Sequence, residues 1–192
     1  MTPRVIHMLR HGPPLRTGLL LGHLDEPPRV ADCPVMLRRV RTVPIGRIVS
    51  SDLLRTSAQA ASLARRLSVP LHHDPRWREL DFGDWEGLSP DDIDNGALSR
   101  FWDDPDASPP PRGERWFDLC RRVRSALAEV ADGTLLITHA GTVRAALSVL
   151  TGIDHRGVWA LDLPYRALVS VRIWPGEALS GQIIRLETAD PA

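Results

Sequence analysis

The sequence predicts an α/β protein: a three-layer α/β/α sandwich with a mostly parallel central sheet and helices on both faces. Three observations point there. Short, almost continuous apolar runs stop abruptly at turn residues, as strands buried on both faces do. Apolar stripes at i, i+3, i+4 and i+7 follow two of these runs. The two patterns alternate along the chain, which is the signature of strands joined by crossover helices.

Arg4 to Leu9 is the first such run, ending at Arg10-His11-Gly12 with Pro13-Pro14 behind it. Ile45 to Val49 is the second; after Ser50-Ser51-Asp52 comes the helical stripe Ala60, Leu63, Ala64, Leu67. Residues 82–113 break the rhythm with Gly83, Gly87, Pro90, Gly96, Pro105 and Pro109-Pro110-Pro111, among which stand Trp85, Phe101 and Trp102. This stretch is expected to be an excursion from one domain spanning residues 1–192. A helix with Trp116, Leu119, Cys120, Val123, Leu127 and Val130 on one face precedes the strand Leu135 to Thr138. His139-Ala140-Gly141 forms the junction to a last stripe, Val143, Ala146, Leu147 and Leu150. Leu168 to Ile173 and Ile183 to Leu186, separated by Pro175-Gly176, are expected to pair as a hairpin at the sheet edge.

Apolar residues make up 43% of the 192 and charged residues 25%, values of an ordinary globular chain. The apolar runs are too short to span a bilayer. Arg4 precedes only a five-residue stretch that His7 interrupts, so no secretory leader is expected, and the cytoplasm is the expected location. All 24 basic residues are Arg and none is Lys, which excludes Schiff-base chemistry, pyridoxal phosphate anchoring and the lysine of a P-loop. The net charge is zero, but residues 1–70 carry +7 and residues 71–118 carry −8. Such a chain is not a general nucleic-acid binder, yet its first third could hold a small anion. Cys33 and Cys120 fit neither a disulfide framework nor a metal-ligand spacing and are expected to be packing residues.

In a parallel sheet, ligands bind beyond the carboxyl ends of the strands. Three such ends carry notable groups: Arg10-His11-Gly12, the turn from Asp52 to Arg55, and His139-Ala140-Gly141. Brought together, two histidines and two arginines make a cationic pocket suited to a phosphoryl group, because guanidinium forks match phosphate oxygens. A helix starting near Gly141 would add backbone donors. The other histidines read as structural. His7 and His11 have a spacing that suits zinc only on a helix, and their run reads as a strand. His72-His73-Asp74 reads as a solvated turn, and His155 has no evident partner. Arg144 is evenly balanced between a helix-surface residue and one supporting the site.

Six segments, in order, carry a resemblance: Met8 to Gly12, Gly22 to Asp25, Ser50 to Ala61, Arg78 to Gly87, Pro111 to Glu114 and Leu135 to Arg144. Together they resemble the histidine phosphatase superfamily, with its phosphoglycerate mutase-like fold, over almost the whole chain. The resemblance implies that His11 is a nucleophile forming a phosphohistidine. It implies that Arg10, Arg55 and His139 hold the phosphoryl oxygens, with His139 protonated and His11 neutral. Glu79 matches the general acid, which must carry a proton near neutral pH through burial or the neighbouring phosphate dianion. Gly22, His23 and Ala140 are further substrate-binding positions of the matched motifs. Glu86 is expected to be a structural carboxylate rather than a rival acid. No metal and no cofactor are implied.

The chain departs from its relatives at Pro13-Pro14-Leu15-Arg16-Thr17, where many have Glu-Thr and then an Asn near the phosphate, and at His23-Leu24. Its short length, acidic excursion and lack of lysine resemble the phosphatase branch rather than the mutase branch, and within it the α-ribazole phosphatases. The expected activity is metal-independent hydrolysis of a phosphomonoester, α-ribazole 5'-phosphate or another small ester. The expected partner is a small phosphorylated metabolite, with no nucleic acid and no membrane, and the chain is expected as a monomer or homodimer. The alternatives are mutase-type phosphoryl transfer, a non-catalytic phospholigand-binding protein and a metal-dependent hydrolase.

Overall fold

Strand β1 (Arg4–Arg10) lies inside a six-stranded sheet, with β4 (Thr134–Thr138) parallel on one side and β5 (Leu168–Trp174) antiparallel on the other. The computed structural model describes residues 2–174, 176 and 179–188. Beyond β4 come β2 (Arg47–Ser50) and β3 (Leu71–His73), both parallel; beyond β5 comes β6 (Ser180–Glu187), antiparallel, giving the order β3-β2-β4-β1-β5-β6. The sheet is therefore parallel on its β3–β1 side, and the expected hairpin forms its other edge. Pro175 in the expected turn lies outside the described residues.

Alternation along the strands explains the layers. Ile6 and Met8 face one side, with Leu136, Val169 and Val171. Against them pack α4 (Trp116–Glu129) and α5 (Ala140–Thr151) through Leu119, Val123, Leu127, Val143, Ala146, Leu147 and Leu150. Leu9, Leu135, Ile137, Ile48 and Leu168 face the other side, covered by α1 (Pro34–Val40) and α2 (Leu54–Leu67) through Met36, Val40, Ala60, Leu63 and Ala64. Burying this many Leu, Ile and Val side chains, each contributing about 1.5–3 kcal/mol, is the main stabilisation of both interfaces.

The excursion holds a helix that the sequence reading did not anticipate, α3 (Asn95–Asp103), capped by Asp94 through Ala97 N–H. Phe101 is buried between Phe82, Trp85 and Trp102, and Trp102 meets Trp159 of α6 (His155–Trp159), which in turn meets Trp116. The excursion is thus fastened to the body by a chain of aromatic edges. Among the described residues no helix is long and apolar enough to cross a membrane. Burial pushes the Cys120 thiol up to about 12, and both cysteines are free and half-buried.

Candidate active site

Parallel neighbours β2, β4 and β1 end at one edge of the sheet, so their last residues meet there. The His11 N–H continues the ladder to the Thr138 carbonyl at 2.9 Å, which places His11 directly beside His139. The two rings sit edge to face with centroids 5.1 Å apart. His11 Nδ1 lies 2.6 Å from the Gly12 carbonyl. A carbonyl can only accept, so Nδ1 carries the proton and the lone pair is on Nε2. Gly12 is itself fixed: its N–H donates to Gln59 Oε1 at 2.8 Å, and Gln59 Nε2 donates to the Val30 carbonyl at 2.9 Å. Burial above all, then the guanidiniums of Arg55 and Arg10, hold His11 well below the usual imidazole range, so it is neutral.

Arg55 Nε donates to His139 Nδ1 at 3.2 Å. That nitrogen is therefore an acceptor, the proton sits on Nε2, and His139 is neutral in the unliganded site. Burial, followed by the charges of Arg55 and His11, keeps its pKa well below the ordinary value. The expectation of a protonated His139 concerns the ring holding a phosphoryl group; in the unliganded site, burial and the facing guanidinium favour the neutral ring. Its Nε2 is buried and has no protein partner.

Arg10 stacks over Tyr165, with its guanidinium carbon 4.1 Å from the ring centroid, and donates to the Leu163 carbonyl at 2.5 Å. Its Nε is buried without a partner. Arg55, wholly buried, is more heavily committed. Beyond His139 it donates to the carbonyls of Leu24 at 2.8 Å, Leu21 at 2.9 Å and Gly22 at 2.5 Å. Of the five N–H bonds of a guanidinium only one is left over. Arg55 therefore orients His139 and holds the 21–24 loop, and its direct contact with a ligand is limited to that N–H.

Two carboxylates divide the work expected of them. Glu79, buried, accepts from Leu80 N–H at 3.0 Å, Gly141 N–H at 2.9 Å and Thr142 N–H at 3.1 Å. It supplies the cap that His139 does not give α5, and its charge sits at the positive end of that helix. Glycine at 141 leaves room for the Glu79 carboxylate, which a Cβ there would displace. Glu86 accepts from four backbone N–H groups: Gly22 (3.0 Å), His23 (2.6 Å), Leu24 (3.1 Å) and Phe82 (3.0 Å). It is the structural carboxylate expected, pinning the loop whose carbonyls hold Arg55.

A cavity of about 140 Å³ is lined by Arg10, His11 and Glu79, and not by Arg55 or His139, together with Pro14, Leu19, Leu20, Leu21, Phe82 and Tyr165. Pro14 reaches it because the departing loop is bridged to residues 27–29, through Leu15 N–H to Pro27 and Arg29 N–H to Pro13. Gly22 and His23 do not line it: Gly22 bonds Glu86 and Arg55, and His23 Nε2 donates to the Glu79 carbonyl at 3.1 Å. Ala140 opens α5 and lines a neighbouring chamber of about 160 Å³ with Arg144, Phe101, Trp102, Trp116 and Trp159; Glu79 and Phe82 belong to both cavities. Of the other histidines, His73 meets Ser50 Oγ at 2.9 Å and His155 meets the Asp103 carbonyl at 3.0 Å.

Three participants were missed. Tyr165 gave no signal beyond being the chain's single tyrosine. Gln59 lies in the motif after Arg55, where its role showed only in space. Arg122 resembles any helix arginine in sequence, yet it donates to the carbonyls of Arg76, Arg78 and Glu79 and pairs with Glu114, fixing the segment that presents Glu79.

The model of the histidine phosphatase superfamily (branch 1) matches residues 34–182. The chain belongs to this family. The matched stretch contains Arg55, Glu79 and His139, while Arg10 and His11 precede it and are placed by the geometry above. Among curated relatives, a Hydrogenobacter thermophilus protein named as a candidate phosphoserine phosphatase is 25% identical over 166 residues, 81% of this chain and 82% of its own. A Yersinia pestis protein named as a probable phosphoglycerate mutase, GpmB, is 29% identical over 161 residues, 77% of this chain and 75% of its own. Among solved structures, a mycobacterial glucosyl-3-phosphoglycerate phosphatase superposes with a TM-score of 0.85 at 25% identity, covering 98% of this chain and 100% of its own. An α-ribazole phosphatase from Shigella flexneri shares the fold, with a TM-score of 0.79 at 20% identity over 96% of both chains.

Proposed function

We propose that the protein is a metal-independent phosphomonoesterase that works through a phosphohistidine on His11. The observation that carries this reading is the fixed tautomer of His11, with its proton held by Gly12 and its Nε2 lone pair available beside the guanidiniums of Arg55, buried, and Arg10, half-buried. In the first step Nε2 attacks phosphorus and the bond to the leaving oxygen breaks, while Glu79 gives that oxygen a proton. The positive charge of the phosphorylated ring is met by the hydrogen bond from Nδ1 to Gly12. In the second step a water gives its proton to Glu79, its oxygen binds phosphorus, and the P–N bond breaks. Arg10 Nε and His139 Nε2, both buried donors with no protein partner, would meet the phosphoryl oxygens along with the last N–H of Arg55. The two guanidiniums would supply the positive charge that metal ions supply in other phosphoryl-transfer enzymes, and His139 a hydrogen bond. Glu79 arrives as an acceptor on both oxygens, so the proton it donates would enter with the phosphate.

The substrate proposed is a small phosphorylated metabolite. The catalytic cavity and the aromatic chamber measure about 140 and 160 Å³. Each lies below the roughly 300 Å³ at which ordinary small-molecule pockets begin. This favours a compact leaving group over the ribose and base of α-ribazole 5'-phosphate. The −8 charge of residues 71–118 speaks against retaining a strongly anionic phosphoglycerate as a mutase must. The test is hydrolysis, in EDTA, of 4-nitrophenyl phosphate, a short alkyl phosphate, 3-phosphoglycerate and α-ribazole 5'-phosphate. Turnover by wild type that vanadate blocks and His11→Ala lacks is expected; chelator-sensitive turnover, or turnover kept in His11→Ala, would overturn the reading.

A further inference from the structure

Arg144, half-buried on α5, has no acid paired with it among the described residues. It follows Ala140 by four positions and Gly141 by three, so the three share one face of the helix, the face on which Gly141 N–H meets the Glu79 carboxylate. That face forms one side of the aromatic chamber of about 160 Å³, whose other walls include Phe101, Trp102, Trp116 and Trp159. The guanidinium makes a single hydrogen bond among the described residues, from Nη2 to the Leu161 carbonyl at 2.9 Å. Its Nε is buried without a partner, whereas Nη1 is neither hydrogen-bonded nor sealed off, which leaves Nη1 as the donor accessible to the chamber.

The aromatic walls offer this cation no oxygen acceptor. Burial lowers its pKa; Glu79 and Asp162 act against this from beyond ion-pair distance, and Arg10 adds to it. A guanidinium nonetheless keeps its charge. A half-buried charge without a partner is costly, and a ligand that brings an anionic acceptor removes that cost. The catalytic step sharpens the need. Glu79, the first of the charges that support Arg144, would carry a proton once the ester is bound, so its charge is lost just when the chamber fills.

We propose that Arg144 selects the leaving group: the chamber takes a short carbon chain ending in a carboxylate, with the chain against the aromatic walls and the carboxylate on Arg144 Nη1. Glu79 and Phe82 line both cavities, so the ester oxygen that takes the proton from Glu79 would sit at their boundary, with phosphorus toward His11 and the chain toward Arg144. The inference rests on the phosphatase reading and names the class of ester it acts on, the phosphate esters of short hydroxy acids. The −8 charge of residues 71–118 would favour release of the freed hydroxy acid.

The probes are phosphate esters of hydroxy acids of graded chain length, each compared with the ester of the corresponding amide, which has nearly the same shape and no charge. At one length kcat/KM should favour the acid by roughly tenfold or more, the worth of one charge-assisted hydrogen bond. Arg144→Gln should lose this ratio and Arg144→Lys should keep part of it; because the ratio is taken within each variant, a general loss of activity does not imitate the effect. Binding is read separately from turnover. The free hydroxy acids should shift the indole N–H signals of Trp102, Trp116 and Trp159 saturably in NMR titrations of the full wild-type chain, and the amides should bind about tenfold more weakly. If no ester is turned over while this binding is seen, the phosphatase reading fails and Arg144 still marks an acid-binding chamber. Equal kcat/KM for acid and amide at every length, a preference kept in Arg144→Gln, or indole shifts that do not distinguish acid from amide would overturn the assignment of Arg144.

Discussion

Replacing Glu86 by Gln separates a structural carboxylate from a catalytic one. In the wild type each carboxylate oxygen accepts two backbone N–H groups, Oε1 from His23 and Phe82 and Oε2 from Gly22 and Leu24. A glutamine keeps one oxygen and turns an NH₂ toward the other two N–H groups, so two charge-assisted bonds are lost and donors face donors. At roughly 1.5–3 kcal/mol per bond the upper bound is about 6 kcal/mol. The site is only partly buried and water can replace some of the loss, so a destabilisation of about 2–4 kcal/mol is expected. For a chain of this size, with about 2–4 °C per kcal/mol, Tm should fall by roughly 5–15 °C in a calorimetric scan. Because the Glu86 loop holds Arg55, turnover well below the transition should fall only by the share that a loosened Arg55 explains, about tenfold. A variant with unchanged Tm and turnover lost by a thousandfold or more would refute this and make Glu86 the proton donor.

Gly141→Ala should displace Glu79 while adding helix propensity, so phosphoenzyme formation from an alkyl phosphate is expected to slow by about 10²–10⁴, with far less effect for 4-nitrophenyl phosphate, whose leaving group needs no proton. Stopped-flow rates on both esters check this, and equal losses would contradict it. His11 and His139 are held neutral when folded but take up protons near their ordinary value of 6.5 when unfolded. The unfolded chain then binds more protons as pH falls, so the stability these groups contribute is complete above about 6.5 and is lost below it. Urea midpoints at pH 7.5 and 5.5 should show this loss, reduced in His139→Gln; an equal loss in the variant would count against it. Tyr165→Leu removes the ring under Arg10, a contact of about 0.5–2 kcal/mol, and should raise KM for phosphate esters by about 2- to 30-fold with the fold intact. An unchanged KM would mean that Arg10 is held in place without Tyr165.

The convergence of Arg10-His11, the start of α2 and His139 was legible because it follows from local signals: apolar runs, the residues that stop them, and the rule that parallel strands end at one edge. Glu86 was read as structural because Glu79 falls at the motif position of the acid, and its four backbone N–H partners agree with that reading. What the sequence hid was set by tertiary partners. The neutral state of His139 depends on its burial and then on Arg55, which reaches it only once β4 and α2 are side by side. Helix α1 begins at Pro34 without a side-chain cap, and its arginines blur the apolar stripe. Helix α3 was masked by Gly96 within a proline-rich stretch, although Asp94 provides its cap. Gly22 and His23, expected at the substrate, hold Arg55 and the Glu79 backbone instead, which no spacing could show. His7 was weighed as a metal ligand and set aside, and its register with Ser170 and Arg185 appears only when β5 and β6 join β1.

The most direct test of the catalytic proposal is to quench the enzyme during turnover of a ³²P-labelled ester and map the label. Acid-labile, base-stable phosphate on the peptide containing His11, absent from His11→Ala, is the expected result. Turnover without any trapped phosphoenzyme, or label at another residue, would contradict the assignment of His11 as the nucleophile.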